Sequence, residues 1–489
     1  MNGFFDGANQ VITFVFAHIV FINLLFAIII IFFQRKEPKA VWAWLLILYA
    51  VPIVGFVFYL FLGIDLHKRK MFQTKAIYDQ KKKGIQKQRK SIKNHELVLT
   101  HPEVSGFEEL ILYNLNCLGA TLEDDNEILI YTDGNSKFDA LIEDIKQAKV
   151  YIHLQYYIIK KDVLFERIVK ELIKKVDEGV EVRILYDAMG CRGIRKIYWR
   201  QLKKKGILVS EFFPAALRRL HVRINYRNHR KIAVIDGTIG YVGGYNIGKE
   251  YIDLKKRFGH WRDTHLRIDG SAVKDLELRF LLDWDYSNNE DLFEMSEFFF
   301  PKYKGKGNSA VQIITSGPDE ETENIRDNYL RIIEKANHSI YIQTPYFIPD
   351  ESILNALSIA VKSGISVNIM IPCMPDHLFV YWATYSYIGQ LVLEGANCYT
   401  YDGGFLHAKG VIIDERCYSY GTANMDIRSF KLNFEVNAVV FDKKEAKKMV
   451  RIFKDDVLHC TKITKKEYEK RSLKIRFKEQ ACRLLSPIL

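Results

Sequence analysis

The sequence lacks any pair of cysteines spaced for a metal site or a short disulfide loop. An odd number of thiols, scattered singly along 489 residues, argues against both a disulfide framework and a zinc cluster. We therefore expect reduced thiols in a cytosolic setting and no metal or other cofactor. The seven cysteines are Cys117, Cys191, Cys373, Cys398, Cys417, Cys460 and Cys482.

Charge is scarce near the N-terminus, where two long runs carry no formal charge: Val11–Phe33 and Ala40–Leu62. Each run is long enough to cross a hydrocarbon core of about 30 Å as a helix. Trp44 and Tyr59 lie near the two ends of the second run, where interfacial aromatic residues are common. The runs predict an N-terminal transmembrane hairpin, residues 1–64.

Most of the formal charge of +12 lies in one segment directly after the hairpin. Lys68–Lys93 holds eleven basic residues against one acid, Asp79, so the rest of the chain is nearly neutral. That distribution argues against a nucleic-acid partner. By the positive-inside rule it predicts a multi-pass cell-membrane protein in which the chain beyond the hairpin is cytoplasmic. The segment is either a solvated linker or a patch attracted to anionic lipid, and the two are compatible.

Beyond residue 100 the chain repeats a pattern of strand, helix, glycine and strand once. The pattern predicts an α/β fold of two related domains, 101–300 and 301–489, after a basic linker, 65–100. In each domain helices would flank a mixed sheet. The repeated segments are Ala148–Tyr157, Leu164–Glu178 and Gly179–Leu185 in the first copy, and Ala336–Tyr346, Ser352–Ser363 and Gly364–Met370 in the second.

Each copy ends in the same polar signature, His-x-Lys-x4-Asp-x6-Gly-x2-Asn, which begins at His229 in the first copy and at His407 in the second. One such match could arise by chance, but two at equivalent places of an internal repeat are specific. The shared positions are His229, Lys231, Asp236 and Asn246 in the first copy, and His407, Lys409, Asp414 and Asn424 in the second.

Two such signatures brought together about a pseudo-two-fold would form a pocket for one phosphodiester anion. The apolar run within each signature predicts a buried strand, so His and Lys, at positions one and three of an element with period two, should project on the same face. The lysines would neutralise charge, and Asn246 and Asn424 would donate hydrogen bonds. One neutral histidine could attack phosphorus while the other, protonated, donates to the leaving oxygen.

The carboxylates near the signatures have more than one interpretation. Asp236 and Asp414 are better placed to anchor the turn after each strand than to do chemistry. Glu250 and Glu435 could each orient a histidine by accepting its second ring N–H, and a surface role is an equal alternative for both.

The two signatures resemble the HKD motifs of the phospholipase D superfamily, and their flanks resemble those of the bacterial cardiolipin synthases. The resemblance includes Asp236 and Asp414 in the catalytic motifs, although the residues themselves favour a structural role. The matching flanks are Pro38–Gly63, Asn225–Lys231, Gly243–Tyr251, Trp261–His265, Pro375–His377, Gly404–Lys409, Ala423–Phe430 and Arg483–Leu489.

The resemblance implies two phospholipase D-like domains and a phosphatidyl transfer between two molecules of phosphatidylglycerol, giving cardiolipin and glycerol. It favours His229 as the nucleophile and His407 as the acid and then the base. A phospholipase D hydrolase or a phosphatidylserine synthase would use the same histidines with a different acceptor. A nuclease is disfavoured by the apolar runs, and an inactive lipid-binding module by two intact motifs.

Overall fold

In this computed structural model the predicted hairpin is described only in part. The chain separates into two compact units, and the described residues of the first are 18–28, 30–31, 38–53, 55, 59 and 226. In the first unit residues 18–28 are helical, and helix α1 covers Pro38–Ala50. The described residues are 18–28, 30–31, 38–53, 55, 59, 84–92, 94, 104–213, 226–288, 290, 292, 296–320, 322–374, 376–484 and 486.

The remaining parts of both predicted spans lie outside the described residues, as do residues 68–83 of the basic segment. Within the described part of the chain, no helix combines the length and the apolar character needed to cross a bilayer. The two-span topology therefore stays a prediction.

A buried asparagine ties the two helical segments of the first unit together. Pro52 has no N–H to donate to the carbonyl of Leu48 one turn earlier, which leaves that oxygen without its helical partner. Asn23 Nδ2 donates to this oxygen at 3.3 Å and to the Pro52 carbonyl at 2.9 Å. One side chain of the first predicted span thus donates to the carbonyl that Pro52 leaves without a helical partner and to the carbonyl of Pro52 itself.

The first half of the second unit carries the first polar signature. Part of the predicted basic linker belongs to this unit, since residues 84–92 are helical and Gln88 exchanges two hydrogen bonds with the Leu122 backbone. The strands are β1 (Glu123–Tyr131), β2 (Tyr151–Tyr156), β3 (Glu181–Asp187), β4 (Leu208–Phe212), β5 (Arg227–Asn228), β6 (Ile232–Ile235), β7 (Ile239–Gly243), β8 (His260–Arg262) and β9 (His265–Asp269). The helices are α2 (Glu108–Leu118), α3 (Gly134–Gln147), α4 (Val163–Asp177), α5 (Lys196–Lys204), α6 (Val273–Asn288) and α7 (Ser296–Phe299).

The second half repeats this arrangement around the second signature. Its strands are β10 (Ser309–Ser316), β11 (Ser339–Gln343), β12 (Phe347–Ile348), β13 (Ser366–Pro372), β14 (Asn397–Tyr401), β15 (Gly404–Leu406), β16 (Gly410–Ile413), β17 (Cys417–Gly421), β18 (Met425–Asp426), β19 (Asn433–Phe441) and β20 (Cys460–Ile463). Its helices are α8 (Asn324–Glu334), α9 (Glu351–Lys362), α10 (Leu378–Glu394), α11 (Ile427–Lys431), α12 (Lys443–Val457), α13 (Lys465–Glu469) and α14 (Leu473–Leu484).

The two halves share one mixed sheet and have the same strand order on either side of a central antiparallel pair, β1 and β10. Outward from this pair the first half runs β9-β7-β6-β2-β3-β4, and the second runs β19-β17-β16-β11-β13-β14-β20. The outer strands β2, β3 and β4 are parallel, as are β11, β13 and β14, while the inner ones are antiparallel. The predicted α/β fold with mixed sheets is confirmed.

The helix ends follow from local backbone chemistry. Asp162 caps the start of helix α4, where its side chain accepts from the Leu164 and Phe165 N–H groups, and Asp350 caps α9 by accepting from the Ile353 N–H. Gly179 and Gly364, which follow these helices, have φ of 89° and 86°. That left-handed region favours glycine, so the predicted glycine stops are confirmed.

Candidate functional site

Each catalytic motif begins just before a buried strand rather than inside it. Strand β6 starts at Ile232, so His229 and Lys231 precede it, and β16 starts likewise after Lys409. Because both pairs lie outside the strands, the predicted strand alternation does not set their directions, and in each motif a local hydrogen bond joins the lysine to the histidine backbone. Lys231 Nζ donates to the carbonyl of His229 at 2.5 Å, and Lys409 donates to that of His407.

Two short parallel strand pairs cross from one half of the sheet to the other and fix the backbone of both histidines. Strand β5 pairs with β19, and the N–H of His229 donates to the carbonyl of Phe434 at 2.9 Å. Strand β8 pairs with β15, and the N–H of His407 donates to the carbonyl of Arg262 at 2.7 Å. Each motif is thereby placed beside a segment from the other half.

Phe434 and Arg262 are each followed in the chain by a residue whose carboxylate contacts the histidine ring. His229 Nδ1 lies 2.9 Å from both oxygens of Glu435, and His407 Nδ1 lies 2.6 Å from Asp263 Oδ2. Both carboxylates are fully buried. A carboxylate at Nδ1 favours the tautomer in which Nδ1 carries the proton, which leaves the Nε2 lone pair for chemistry.

Burial keeps both imidazoles neutral in the unliganded site. It lowers the pKa of His229 and of His407 to about 4, against the opposing charges of Glu435 and Asp263. Lys409 also lowers the pKa of His229, and Lys231 that of His407, so the two motifs act on each other as parts of one site.

The two lysines are buried beside these rings. Burial lowers the pKa of Lys231 to about 7 and that of Lys409 to about 8, because the ammonium loses its hydration. Burial alone would raise the pKa of Asp263, but Lys409 and His407 hold it below its usual value. The site therefore gathers buried positive charge and two polarised rings, an arrangement that suits one anionic phosphodiester.

Asp236 and Asp414 lie at the far ends of their strands, about 16 Å along the chain from the lysines. Each accepts three backbone N–H groups from the loop before a neighbouring strand. For Asp236 the donors are Lys149, Val150 and Tyr151, and for Asp414 they are Asn337, His338 and Ser339. These contacts agree with turn anchoring rather than with contact to a substrate.

The two asparagines of the signatures are buried and bonded within the protein. Asn246 Oδ1 accepts from the Ile158 N–H at 3.0 Å, and its Nδ2 donates to the Tyr251 hydroxyl. Asn424 Nδ2 donates to Asp426 at 3.1 Å, and its Oδ1 has no hydrogen-bond partner among the described residues. Their hydrogen bonds to substrate stay a prediction.

Of the two carboxylates considered for orienting a histidine, only Glu435 is in contact with one. Glu250 instead forms an ion pair with Lys160, so the structure does not support its orienting role. The orienting residue that sequence reasoning missed is Asp263, within the flank Trp261–His265. Its position just before β9 corresponds to that of Glu435 in β19, so comparison of the two repeats was the signal that could have found it.

Aromatic rings close the site beside each histidine. The ring of Tyr157 lies 4.9 Å from that of His229, and the ring of Trp261 lies 5.1 Å from that of His407. Such walls reduce the access of water to the reacting atoms.

Comparison with known families agrees with this geometry. A family model described as "Cardiolipin synthase, PLD-like domain" matches residues 141–260 and 329–457, which contain both motifs. A second model, "Phospholipase_D-nuclease N-terminal", matches residues 21–63.

Curated relatives match nearly the whole chain. The chain is 48% identical to the major cardiolipin synthase ClsA of Bacillus subtilis (strain 168), over 96% of this chain and 97% of the relative. It is 46% identical to the cardiolipin synthase of Listeria innocua, over 96% and 98%, and 46% identical to that of Oceanobacillus iheyensis, over 96% and 97%.

Among solved structures, the phosphatidylserine synthase of Haemophilus influenzae aligns with a TM-score of 0.59 at 16% identity. The alignment covers 77% of this chain and 99% of that one. At this identity the likeness concerns the fold alone.

Proposed function

The chain belongs to the bacterial cardiolipin synthase family of the phospholipase D superfamily and is a phosphatidyltransferase, and we propose that both of its substrates are phosphatidylglycerol. One molecule gives its phosphatidyl group to the terminal hydroxyl of the other, and glycerol is released. The observation that carries the two-step transfer is the pair of histidines, each with a buried carboxylate at Nδ1, and the choice of phosphatidylglycerol rests on the similarity to cardiolipin synthases.

In the first step Nε2 of His229 attacks phosphorus and the bond between phosphorus and the glycerol oxygen breaks. His407, protonated once the anion is bound, gives its proton to that oxygen. The products of this step are free glycerol and a phosphatidyl group covalently attached to His229. Glu435 holds the ring and stabilises the positive charge that develops on it.

In the second step the now neutral His407 removes the proton from the hydroxyl of the second phosphatidylglycerol. The resulting oxygen attacks phosphorus, the bond to His229 breaks, and cardiolipin leaves. One phosphodiester has replaced another, so no nucleotide is consumed. Lys231 and Lys409 offset the charge on the phosphoryl oxygens in both steps, and Asn246 and Asn424 would add hydrogen bonds to them.

We propose a membrane location with two N-terminal spans and a cytoplasmic catalytic part. The support is the two uncharged runs, the basic segment that follows them and the match of the N-terminal family model to residues 21–63. Tethering would keep the site at high effective concentration near lipid headgroups. The nearly neutral remainder of the chain supports a lipid rather than a nucleic-acid partner.

The test is product analysis with the purified full-length protein in phosphatidylglycerol proteoliposomes, without nucleotide. We expect cardiolipin and glycerol in equal amounts, measured by mass spectrometry and an enzymatic glycerol assay. Phosphatidic acid as the sole lipid product would replace the proposal with a hydrolase. If cardiolipin forms only when phosphatidylethanolamine is added, the proposed acceptor is wrong.

A further inference from the structure

We propose that helix α14 and the start of α10 form a second membrane contact, which binds the surface of an anionic phospholipid bilayer. This inference rests on the proposed transfer between two lipids and adds to it the part of the catalytic unit that meets the membrane. We call Leu473, Phe477 and Leu484 of α14 the apolar stripe.

The apolar stripe is exposed on one side of α14, with Gln480 between Phe477 and Leu484. At about 100° per residue, its three side chains point within about 40° of one another. Their exposed fractions are 82% for Leu473, 76% for Phe477 and 79% for Leu484. Large apolar side chains are seldom left so exposed along one helix face without a partner or a membrane.

The opposite face of α14 is fastened to the protein, so the stripe has a fixed orientation. Glu479, which is fully buried, accepts from Arg471 Nη2 at 2.9 Å. Arg483 donates to Gln390 of α10 at 2.8 Å, and its guanidinium lies 4.4 Å from the ring centre of Tyr387. These contacts make α14 a rigid part of the catalytic unit, not a loose tail.

The charges around the apolar stripe select the kind of surface that it fits. The single acid of α14, Glu479, points inward, while Lys474, Arg476 and Lys478 are exposed. Lys474 and Arg476 flank the stripe on its two sides. An exposed apolar band between basic residues is the pattern of helices that lie in the interface of an anionic membrane. A soluble protein partner would not require basic residues on both sides of an exposed apolar band.

Helix α10 links this surface to a cleft that interacts with the second motif. Lys478 of α14 lies 5.2 Å from the ring centre of Trp382, and that ring lies 5.3 Å from Tyr381. Tyr381 and Asp376 line the cleft, and the Asp376 carboxylate raises the pKa of Lys409 against the larger effect of burial.

The first residues of α10 extend the apolar surface toward this cleft. Leu378 and Phe379, exposed by 65% and 61%, come shortly after Asp376 in the chain. A bilayer bound here would present lipid headgroups close to this cleft, which the hairpin, as a tether, does not ensure.

The first test compares one variant, L473S/F477S/L484S, on two forms of the substrate. In proteoliposomes of phosphatidylglycerol we expect its activity to fall by about tenfold, because the exposed side chains no longer enter the interface. The second form of the substrate is short-chain phosphatidylglycerol below its critical micelle concentration, given to protein held in detergent-free nanodiscs of phosphatidylcholine. On this form we expect the variant's activity to be within about twofold of wild type. The matched control is L458S, since Leu458 is 81% exposed and follows a different helix, α12.

Equal losses on both substrates, or a lowered melting temperature, would mean a structural role and would overturn the proposal. Unchanged activity on both would also overturn it, as would a changed oligomeric state, which would assign the stripe to a second copy of this chain. Failure of the proposed function is distinguishable, because wild type would then make no cardiolipin from either substrate.

A second measurement uses the full chain in nanodiscs and reports binding without activity. Hydrogen exchange of residues 473–484 should slow in phosphatidylglycerol nanodiscs relative to phosphatidylcholine ones. K474E/R476E should remove this difference, because it reverses the charges beside the stripe. Identical exchange in both lipids would contradict the assignment to an anionic surface.

Discussion

Asp263 holds the ring of His407, 144 positions further along the chain, through a contact of 2.6 Å between Oδ2 and Nδ1. The reciprocal contact joins Glu435 to His229 over 206 positions. Each carboxylate belongs to the half of the sheet opposite to its histidine. Neither repeat therefore contains a complete histidine–carboxylate pair, and the two halves must assemble before either ring is oriented.

The first prediction concerns these two carboxylates. D263N and E435Q keep the size of each side chain but can no longer stabilise the imidazolium, and the wrong tautomer becomes accessible. We expect kcat to fall by about 10²- to 10⁴-fold in each variant. The control is E250Q, whose native carboxylate is paired with Lys160 and not with a histidine. Steady-state kinetics on phosphatidylglycerol would check this, and near-normal kcat in D263N would remove Asp263 from the mechanism.

The second prediction separates the motif aspartates from the chemistry. Asp236 and Asp414 each accept three backbone N–H groups, so D236N and D414N should lower the free energy of unfolding by about 1–3 kcal/mol. The fraction that stays folded should keep a kcat within a few-fold of wild type. Thermal unfolding and active-site titration would measure the two effects. A large loss of kcat at an unchanged melting temperature would assign these residues to catalysis instead.

The duplicated framework was predictable from sequence because it depends on local patterns. The helices predicted near Leu164–Glu178 and Ser352–Ser363 are observed one residue earlier, and both glycines adopt the left-handed conformation. Propensity, capping and periodicity act within a few residues, and the sequence shows them directly.

The orientation of the histidines could not be predicted in the same way. It depends on the strand pairs β5–β19 and β8–β15, each of which joins a segment of the first half of the catalytic unit to a distant segment of the second. Single-sequence patterns contain no term for such pairings. The common direction of His229 and Lys231 was predicted from strand alternation, but both residues precede the strand, and the contact observed between them is a hydrogen bond from Lys231 Nζ to the His229 carbonyl.

The third prediction follows from the neutral state of both histidines. Burial lowers the pKa of each to about 4, so at neutral pH the free site lacks the imidazolium that the first step requires. A bound phosphodiester anion raises the pKa of His407, and the site takes up a proton. We therefore expect kcat/KM to fall as pH rises through the neutral range.

Calorimetry of the full chain in detergent with a non-hydrolysable phosphonate analogue would measure this uptake in buffers of different ionisation enthalpy. Near pH 7 the uptake should be about one proton per site larger in wild type than in H407N, because Lys231, whose pKa is about 7, takes up a further fraction of a proton in both. Binding without proton uptake in wild type would show that the acid is already charged in the free site.

The fourth prediction identifies the nucleophile. If His229 forms the covalent bond, H407N should still form the phosphatidyl adduct slowly, but it cannot activate the acceptor hydroxyl and the adduct should accumulate. H229N removes the attacking nitrogen and should form no adduct, although Lys231 and Lys409 remain and can still bind the phosphate group. Intact-protein mass spectrometry after acid-free quenching would detect the adduct, and both variants should turn over at least about 10³-fold more slowly than wild type. An adduct in H229N, located on His407 by peptide mapping, would reverse the two roles, while near-normal turnover in either variant would contradict a mechanism that needs both rings.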